Sequence, residues 1–287
     1  MLKLSIISFK VELGVLMLQE RVIGYGSTAE VLEMDEGTVA KVFYDHVSAA
    51  SIDHEWSVSK NVMSCGLPVP AVYQQERIDG RSAIFFEKIK GSALTKWLED
   101  KPWTALQLVK IMAALHAKVH EKQVTELPLQ KIVLQRKIEH AKELSREDKS
   151  SILTFLSNLP DGDSLCHGDF HPDNILLTEK GPVIIDWIDA TQGNRMADLA
   201  RTVIILRYGG FPDKSSFLQR RILVAVRDIL TRHYIKSYKR SFPFSSELLK
   251  DWMLPVAAGR LSEKIPNQEK ERLIRFIQAL LSRAQTR

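Results

Sequence analysis

The order of hydrophobic periodicities constrains this chain most. Five short strand-like runs come first, and almost everything after Gly91 is spaced like helix. Val22-Ile23 passes through Gly24-Tyr25-Gly26-Ser27 into Glu30–Met34, Asp35-Glu36-Gly37 turns, and Thr38–Tyr44 returns with β-branched and aromatic residues. Val47–Cys65 reads as a helix closed at Gly66, with Pro68 and Pro70 beyond. Ala71–Gln75 and Ser82–Glu87 complete a small antiparallel lobe with one helix after its third strand. Helical spacing then predicts Leu106–Val119, Pro128–Leu144 and Lys149–Leu159. A hairpin follows, Asn174–Thr178 with Pro182–Asp186, and from Ala197 onward the pattern is helical, broken near Gly209–Pro212, Phe242-Pro243 and Pro266. The expected fold class is α+β and bilobal, with a β-rich lobe over residues 1–90 and a larger, mainly α lobe over 91–287.

Composition removes several classes. With 45% hydrophobic and 26% charged residues the chain is neither disordered nor fibrous. No run approaches the roughly 18 apolar residues of a membrane span. Cys65 and Cys166 stand far apart without a C-x-x-C pair, which argues against a disulfide scaffold or thiolate zinc and fits a reducing cytoplasm. Met1–Leu18 is apolar, but Lys10 and Glu12 interrupt any signal-peptide core. Two readings stay open there: an edge strand, or a start-site extension over residues 1–16 with Met17 the true start.

Charge is uneven. Residues 1–200 hold 22 basic and 28 acidic residues, a net of −6, whereas 201–287 hold 18 and 7, a net of +11. Arg220, Arg221, Arg227 and Arg232 alternate with Ile222, Leu223, Val226, Ile229 and Leu230, as on an amphipathic helix with a charged outer face. No zinc-finger, RRM or basic-zipper pattern accompanies them, so nucleic acid is not the expected partner.

The densest polar cluster is Cys166-His167-Gly168-Asp169-Phe170-His171-Pro172-Asp173-Asn174. The hairpin brings Asn174 and Asp186 to one open end, offering hard oxygen donors of the kind Mg²⁺ takes. Asp169 would stand beside that ion as a base for an alcohol. A zinc reading competes, because His167-x-Asp169-x-His171 presents two imidazoles and a carboxylate. Its further ligand could come from His116 or His120, whose spacing also suits packed, hydrogen-bonded histidines.

Gly24 and Gly26 with Ser27 let backbone N–H groups approach a polyphosphate. The third glycine of a dinucleotide fingerprint and the Lys-Ser/Thr of a Walker loop are both missing. Lys41, between Ala40 and Val42, faces either solvent or a ligand under that turn, and Glu55 is placed to tether it.

Taken together, Gly24-x-Gly26, Val39-Ala40-Lys41, Glu55, His167-Gly168-Asp169-x-x-x-x-Asn174 and Ile185-Asp186-Trp187 follow the order of the protein-kinase-like fold. The chain resembles more closely the aminoglycoside phosphotransferase and choline kinase-like family of small-molecule kinases. Cys166–Leu176 carries that resemblance, with Gly66–Pro70 and Gly193 to Ala200 in support, from about Arg21 to Arg201. The resemblance implies a nucleotide-binding N-terminal lobe and a catalytic and substrate-binding C-terminal lobe. Lys41 would hold the α/β-phosphates of ATP, tethered by Glu55, and Gly24, Gly26 and Ser27 would cover them. GTP stays open as donor. Glu87 C=O and Ile89 N–H would meet the adenine edge, and Asn174 and Asp186 would hold Mg²⁺. Asp169 would deprotonate the acceptor, while His167 and Asp198 brace the loop.

Only 11 residues separate Asp186 from Asp198, too few for a peptide-docking segment, so a small-molecule alcohol is expected rather than a protein. The basic C-terminal region favours a sugar, amino alcohol or similar metabolite over a polycationic aminoglycoside. A catalytically silent nucleotide-binding scaffold and a protein Ser/Thr kinase are the alternatives. No nucleic acid or membrane enters either reading.

Overall fold

The structure is a computed structural model and describes residues 22–211 and 215–285. The N-terminal segment expected as strand or start-site extension lies outside the described residues. By internal packing the chain forms two compact units. The first runs to Ser92 and takes up Leu176–Ile188 again; the second comprises Ala93–Ile175 and the chain from Asp189.

In the first unit, β1 (Val22–Tyr25), β2 (Ala29–Glu33), β3 (Thr38–Phe43), β4 (Val72–Ile78) and β5 (Arg81–Glu87) build one antiparallel sheet in the order β1-β2-β3-β5-β4. Helix α1 (Ala49–Ser64) lies between β3 and β4 in sequence. Ser48 caps it by accepting from Ser51 N–H at 3.2 Å, and Gly66 ends it in the left-handed region (φ +67°). Both sheet faces are apolar. One buries Leu32, Ala40, Val42 and Ala83; the other buries Ala29, Phe43 and Ile84 with Ile52 of α1. Period-two alternation therefore puts Lys41 on the helix side, in register with Val31 and Ile84. Between the two readings of Lys41, the pleat chooses the covered face.

β6 is the two-residue strand Ser92–Ala93. The second unit contains α2 (Leu94–Asp100), α3 (Ala105–His120), α4 (Gln130–His140) and α5 (Arg146–Asn158). β7 (Ser164–Cys166) precedes the polar loop, and the hairpin is β8 (Ile175–Thr178) with β9 (Gly181–Ile184). β10 (Thr191–Gly193) pairs antiparallel with β7, Thr191 opposite Cys166. Four helices close the unit: α6 (Arg195–Tyr208), α7 (Phe217–Ser241), α8 (Ser246–Arg260) and α9 (Asn267–Gln285). No helix among the described residues is long and apolar enough to cross a membrane.

Three local expectations change. The hairpin is tighter than its sequence suggests: Asn174 ends a short 3-10 turn, and β9 stops at Ile184, where Trp187 Nε1–H donates to the Ile184 carbonyl at 3.3 Å. Periodicity did not reveal α2 or the β7–β10 pair, both short. On α7, the expected apolar inner face is only partly inner: Ile222, Val226 and Ile229 are exposed, while Thr231, Tyr234 and Tyr238 are buried. A 25-residue helix runs about 37 Å, and α3, which meets it through His116 and His120, only about 24 Å. The partner is shorter than the stripe.

Candidate active site

In the first unit, Lys41 Nζ reaches Glu55 Oε1 at 2.5 Å. Glu55 stands one turn after Ile52, the α1 residue packed on the same sheet face, so helical spacing delivers the carboxylate to the lysine. Burial raises the Glu55 carboxyl above its ordinary range, and Lys41 opposes that rise. Asp186 Oδ1 lies 3.7 Å from the same ammonium. Its backbone is left-handed (φ +61°), an unfavourable conformation for an aspartate that recurs at functional sites.

Gly24 extends the Lys41 row to β1, opposite Val31. A Cβ there would meet only Val31 at 3.9 Å, an ordinary contact, and φ lies outside the left-handed region. Folding does not demand glycine at 24, so its missing side chain leaves room for something else. Gly26 N–H donates to Ala29 C=O at 2.8 Å, which closes the turn at Ser27. Around the segment expected to meet the adenine edge, Glu87 N–H donates to Ala71 C=O and Lys88 N–H to Gly37 C=O, each at 2.8 Å. Glu87 is exposed and Ile89 half-buried.

In the second unit, one buried carboxylate organises the polar loop. Asp198 Oδ2 accepts from His167 N–H at 2.7 Å, and Oδ1 from Gly168 N–H at 2.9 Å. His116 and His120 also donate Nε2–H to Oδ2, at 3.0 and 3.2 Å. Their Nδ1 atoms, 2.5 Å from the hydroxyls of Tyr234 and Tyr238, accept the tyrosine protons. These three side chains are also the one group among the described residues spaced for a metal ion. Every ring nitrogen already has a partner, so the two histidines are the packed, hydrogen-bonded kind. Burial would raise the Asp198 carboxyl, yet the bonds from His116 and His120 hold it well below the carboxylate range. Burial, then His120, pushes His116 down to about 3, which keeps it neutral.

Helix α6 grips the loop with three residues at i, i+3 and i+4. Asp198 takes the two N–H groups, Arg201 Nη2 donates to Asp169 Oδ1 at 2.9 Å, and Thr202 Oγ1 donates to Phe170 C=O at 2.8 Å. Asn194 starts the helix by accepting from Met196 N–H at 2.9 Å. Gly168 sits at φ +79°, and a Cβ there would come within 2.1 Å of Asp189 C=O; only glycine fits.

Asp169 is held at both oxygens, since His171 Nε2 stands 3.2 Å from Oδ2. Burial alone would raise its carboxyl, but the His171 bond and the Arg201 guanidinium depress it strongly. His171 rises to about 9: burial opposes protonation, and Asp169 and Asp173 outweigh burial. The protonated ring gives Nε2–H to Asp169, while its Nδ1 stands 3.4 Å from Asp173 Oδ2 and 3.3 Å from the Asp173 backbone nitrogen. The Asn174 amide nitrogen donates to Asp169 C=O at 2.9 Å, which leaves Oδ1 as the atom available to a cation. Asp186 in the first unit and Asn174 in the second each offer oxygen, the donor type that Mg²⁺ takes.

The sequence did not reveal Arg201 or its support. Glu263 accepts from Arg201 Nη1 at 2.6 Å and Nη2 at 3.1 Å, and also from Lys137 and Arg260. Helical spacing from Asp198 was the available signal for Arg201 and Thr202; nothing local pointed to Glu263.

The fold has many solved counterparts. An amicoumacin kinase in complex with AMP-PNP and Ca²⁺ superposes with a TM-score of 0.62 at 16% identity, covering 94% of this chain and 92% of that one. A thermostable aminoglycoside phosphotransferase with AMP-PNP and hygromycin B gives 0.62 at 14%, covering 91% and 92%. A choline/ethanolamine kinase family protein from Mesorhizobium loti gives 0.53 at 13%, covering 91% and 87%. Identities this low carry the protein-kinase-like fold alone. No curated protein matches the sequence. The family model described as the phosphotransferase enzyme family spans residues 24–229, most of the chain, and the chain belongs to that family.

Proposed function

We propose that this protein transfers the γ-phosphoryl group of ATP, or of GTP, to a hydroxyl of a small metabolite in a Mg²⁺-dependent reaction. The observation that carries the reading is the Lys41 ammonium, 2.5 Å from buried Glu55 and 3.7 Å from Asp186, in a chain of a phosphotransferase family. Lys41 binds the α/β-phosphates, with Glu55 fixing its position. The turn at Gly24, Gly26 and Ser27 approaches the phosphates, and Glu87 C=O and Ile89 N–H receive the base. Asn174 Oδ1 and the Asp186 carboxylate hold the cation, whose chemistry when bound is to neutralise charge on the transferring phosphoryl group.

Asp169 receives the acceptor hydroxyl. A carboxylate this acidic is a weak base toward an unactivated alcohol, so it mainly orients the O–H and takes the proton late, as the new P–O bond forms and the bond to the ADP oxygen breaks. Asp198, with His167, keeps the loop in place. Positioning and charge neutralisation suffice for this chemistry.

Solved counterparts that include aminoglycoside, amicoumacin and choline/ethanolamine enzymes support a small-molecule acceptor. A net charge of +11 over residues 201–287 disfavours polycations, so sugars, amino alcohols or similar metabolites are the proposed acceptors. ADP release over a panel of such alcohols tests this, and rapid turnover of a kanamycin-type substrate would overturn the acceptor class. Asp169→Ala should lower turnover about 10²–10⁴-fold while Mg²⁺–ATP still raises the melting temperature. Full turnover in that variant would remove Asp169 from its role.

A further inference from the structure

Phe211, just past the end of α6, has three guanidinium groups around its ring. Arg220, Arg227 and Arg272 place their Cζ atoms 5.7, 5.5 and 4.7 Å from the ring centroid. They come from two helices, α7 and α9. None of the three forms an ion pair with a carboxylate among the described residues. The carboxylate at this end of α7, Asp228, is committed elsewhere, to Arg207 at 2.7 Å and to Arg232. Glu269, which acts on Arg227 and Arg272 at longer range, is engaged by Arg260 at 2.6 Å.

The three arginines are nevertheless fixed. Arg227 donates to the carbonyls of Gly209 and Gly210, the latter at 2.7 Å. Arg272 donates Nη2 to the Arg207 carbonyl at 2.7 Å and Nη1 to those of Tyr208 and Gly209. Arg220 spends Nε on Ser215 at 3.0 and 3.1 Å, which leaves its terminal amino groups without a partner among the described residues. One aromatic face attracts each cation; it does not cancel the repulsion among three of them. Burial, then Arg272, lowers the Arg227 pKa from its ordinary value, and Glu269 offsets this only in part. Pre-oriented guanidinium groups with no carboxylate partner among the described residues present the recognition geometry of phosphate and carboxylate groups.

We infer that Arg220, Arg227 and Arg272 around Phe211 form a binding site for the phosphate or carboxylate group of a small molecule. The site does not depend on the phosphotransfer reading. Two sources of the anion are compatible with it: a free anionic effector, or the acceptor's own anionic group. Arg201, which touches Asp169, lies seven residues before Tyr208 on α6. That is about 10 Å of helix rise, a span within the length of a small metabolite.

Inorganic phosphate is the probe. Melting temperatures of the full chain are measured with phosphate against chloride at equal ionic strength, in wild type, Arg220→Gln, Arg227→Lys and Arg272→Met. Phosphate should stabilise the wild type, and each Arg220→Gln or Arg272→Met change should weaken its apparent affinity roughly tenfold or more. Arg220→Gln gives up hydrogen bonds to Ser215 alone and keeps the test valid if Arg272→Met unfolds. Arg227→Lys, which keeps charge but loses the fork, should bind between the two. Lys41→Met should retain the phosphate effect, separating this site from the proposed nucleotide site. No stabilisation beyond chloride overturns the inference, as does a shift unchanged in the arginine variants or lost only with Lys41. So does a phosphate effect that appears only in Asp213→Asn, because the chain's own carboxylate would then be the occupant. With an anionic acceptor in turnover, a KM raised in Arg220→Gln at constant kcat assigns the site to the acceptor. A KM unchanged there, with phosphate altering kcat, assigns it to a free effector.

Discussion

Asp198 offers the sharpest test of how the second unit holds its loop. Its carboxylate accepts from four donors: His167 N–H, Gly168 N–H and the imidazoles of His116 and His120. Asp198→Ala leaves all four buried without an acceptor. Each unsatisfied donor costs about 1–3 kcal/mol, and a broken buried charge network about 3–5 kcal/mol in measured cases, because the costs do not simply add. Against a domain stability of about 5–15 kcal/mol, that loss is about a fifth of the total or more. Asp198→Asn keeps one acceptor oxygen but turns an amide donor toward other donors, so its loss should be smaller than that of alanine and still exceed 1 kcal/mol. Urea denaturation followed by circular dichroism measures both. The sign with pH also follows. A folded-state pKa held below the unfolded value gives stability that is complete above about pH 4 and is lost as pH falls toward the folded value. Losses under about 1 kcal/mol for both variants, or equal losses for asparagine and alanine, would refute the view that this carboxylate is the acceptor on which the loop rests.

Two further outcomes come from the titrating pairs. Lys41→Met should destabilise more than Glu55→Gln in urea, since the first strands a carboxylate whose second oxygen is buried without a partner, and the second relieves a buried charge; the reverse order would contradict the assignment of burial as the larger effect on Glu55. His171 has a folded pKa raised to about 9, so its contribution to stability is complete below about pH 6.5 and disappears as pH rises through 9. Metal-free protein should therefore lose stability over that interval, and His171→Gln should flatten the profile, as thermal melts from pH 6 to 10 would register.

What the sequence disclosed were groups whose partners lie nearby or whose element is regular. Lys41 and Glu55 could be paired because strand alternation and one helical turn determine where they point. The segment 166–174 could be read because its polar groups serve one another within eight residues: His171 bonds Asp169, and Asn174 bonds the Asp169 carbonyl. Periodicity tells which face of a helix is covered, but not by what. His116 meets Tyr234 across 118 residues, and Arg201 meets Glu263 across 62. Neither pair has a local signature. The charged stripe of α7 misled for a related reason. Arg227 turns to the Gly209 and Gly210 carbonyls instead of solvent, while Ile222 and Ile229 stay exposed because the helix outruns its partner.

The Asp169 environment also bears on why, under the proposed mechanism, an acidic carboxylate would serve a phosphoryl transfer. A general base tuned for proton abstraction would have a pKa near neutrality, usually reached by burial without a counter-charge. Here burial is present, but His171 and Arg201 reverse its effect. Arg201 is in turn held by Glu263, which fixes the guanidinium that faces Asp169. The arrangement sacrifices basicity and fixes direction: Oδ1 is committed to a guanidinium and Oδ2 to an imidazolium, leaving their remaining lone pairs at defined angles for a hydroxyl. For a loose transition state, in which the attacking oxygen keeps its proton until late, direction is the scarcer requirement. Arg201→Lys separates the two demands. It preserves the charge but loses the fork that joins Asp169 to Glu263, so a mechanism limited by orientation should lose kcat with its pH profile unmoved, whereas one limited by basicity would shift the acid limb.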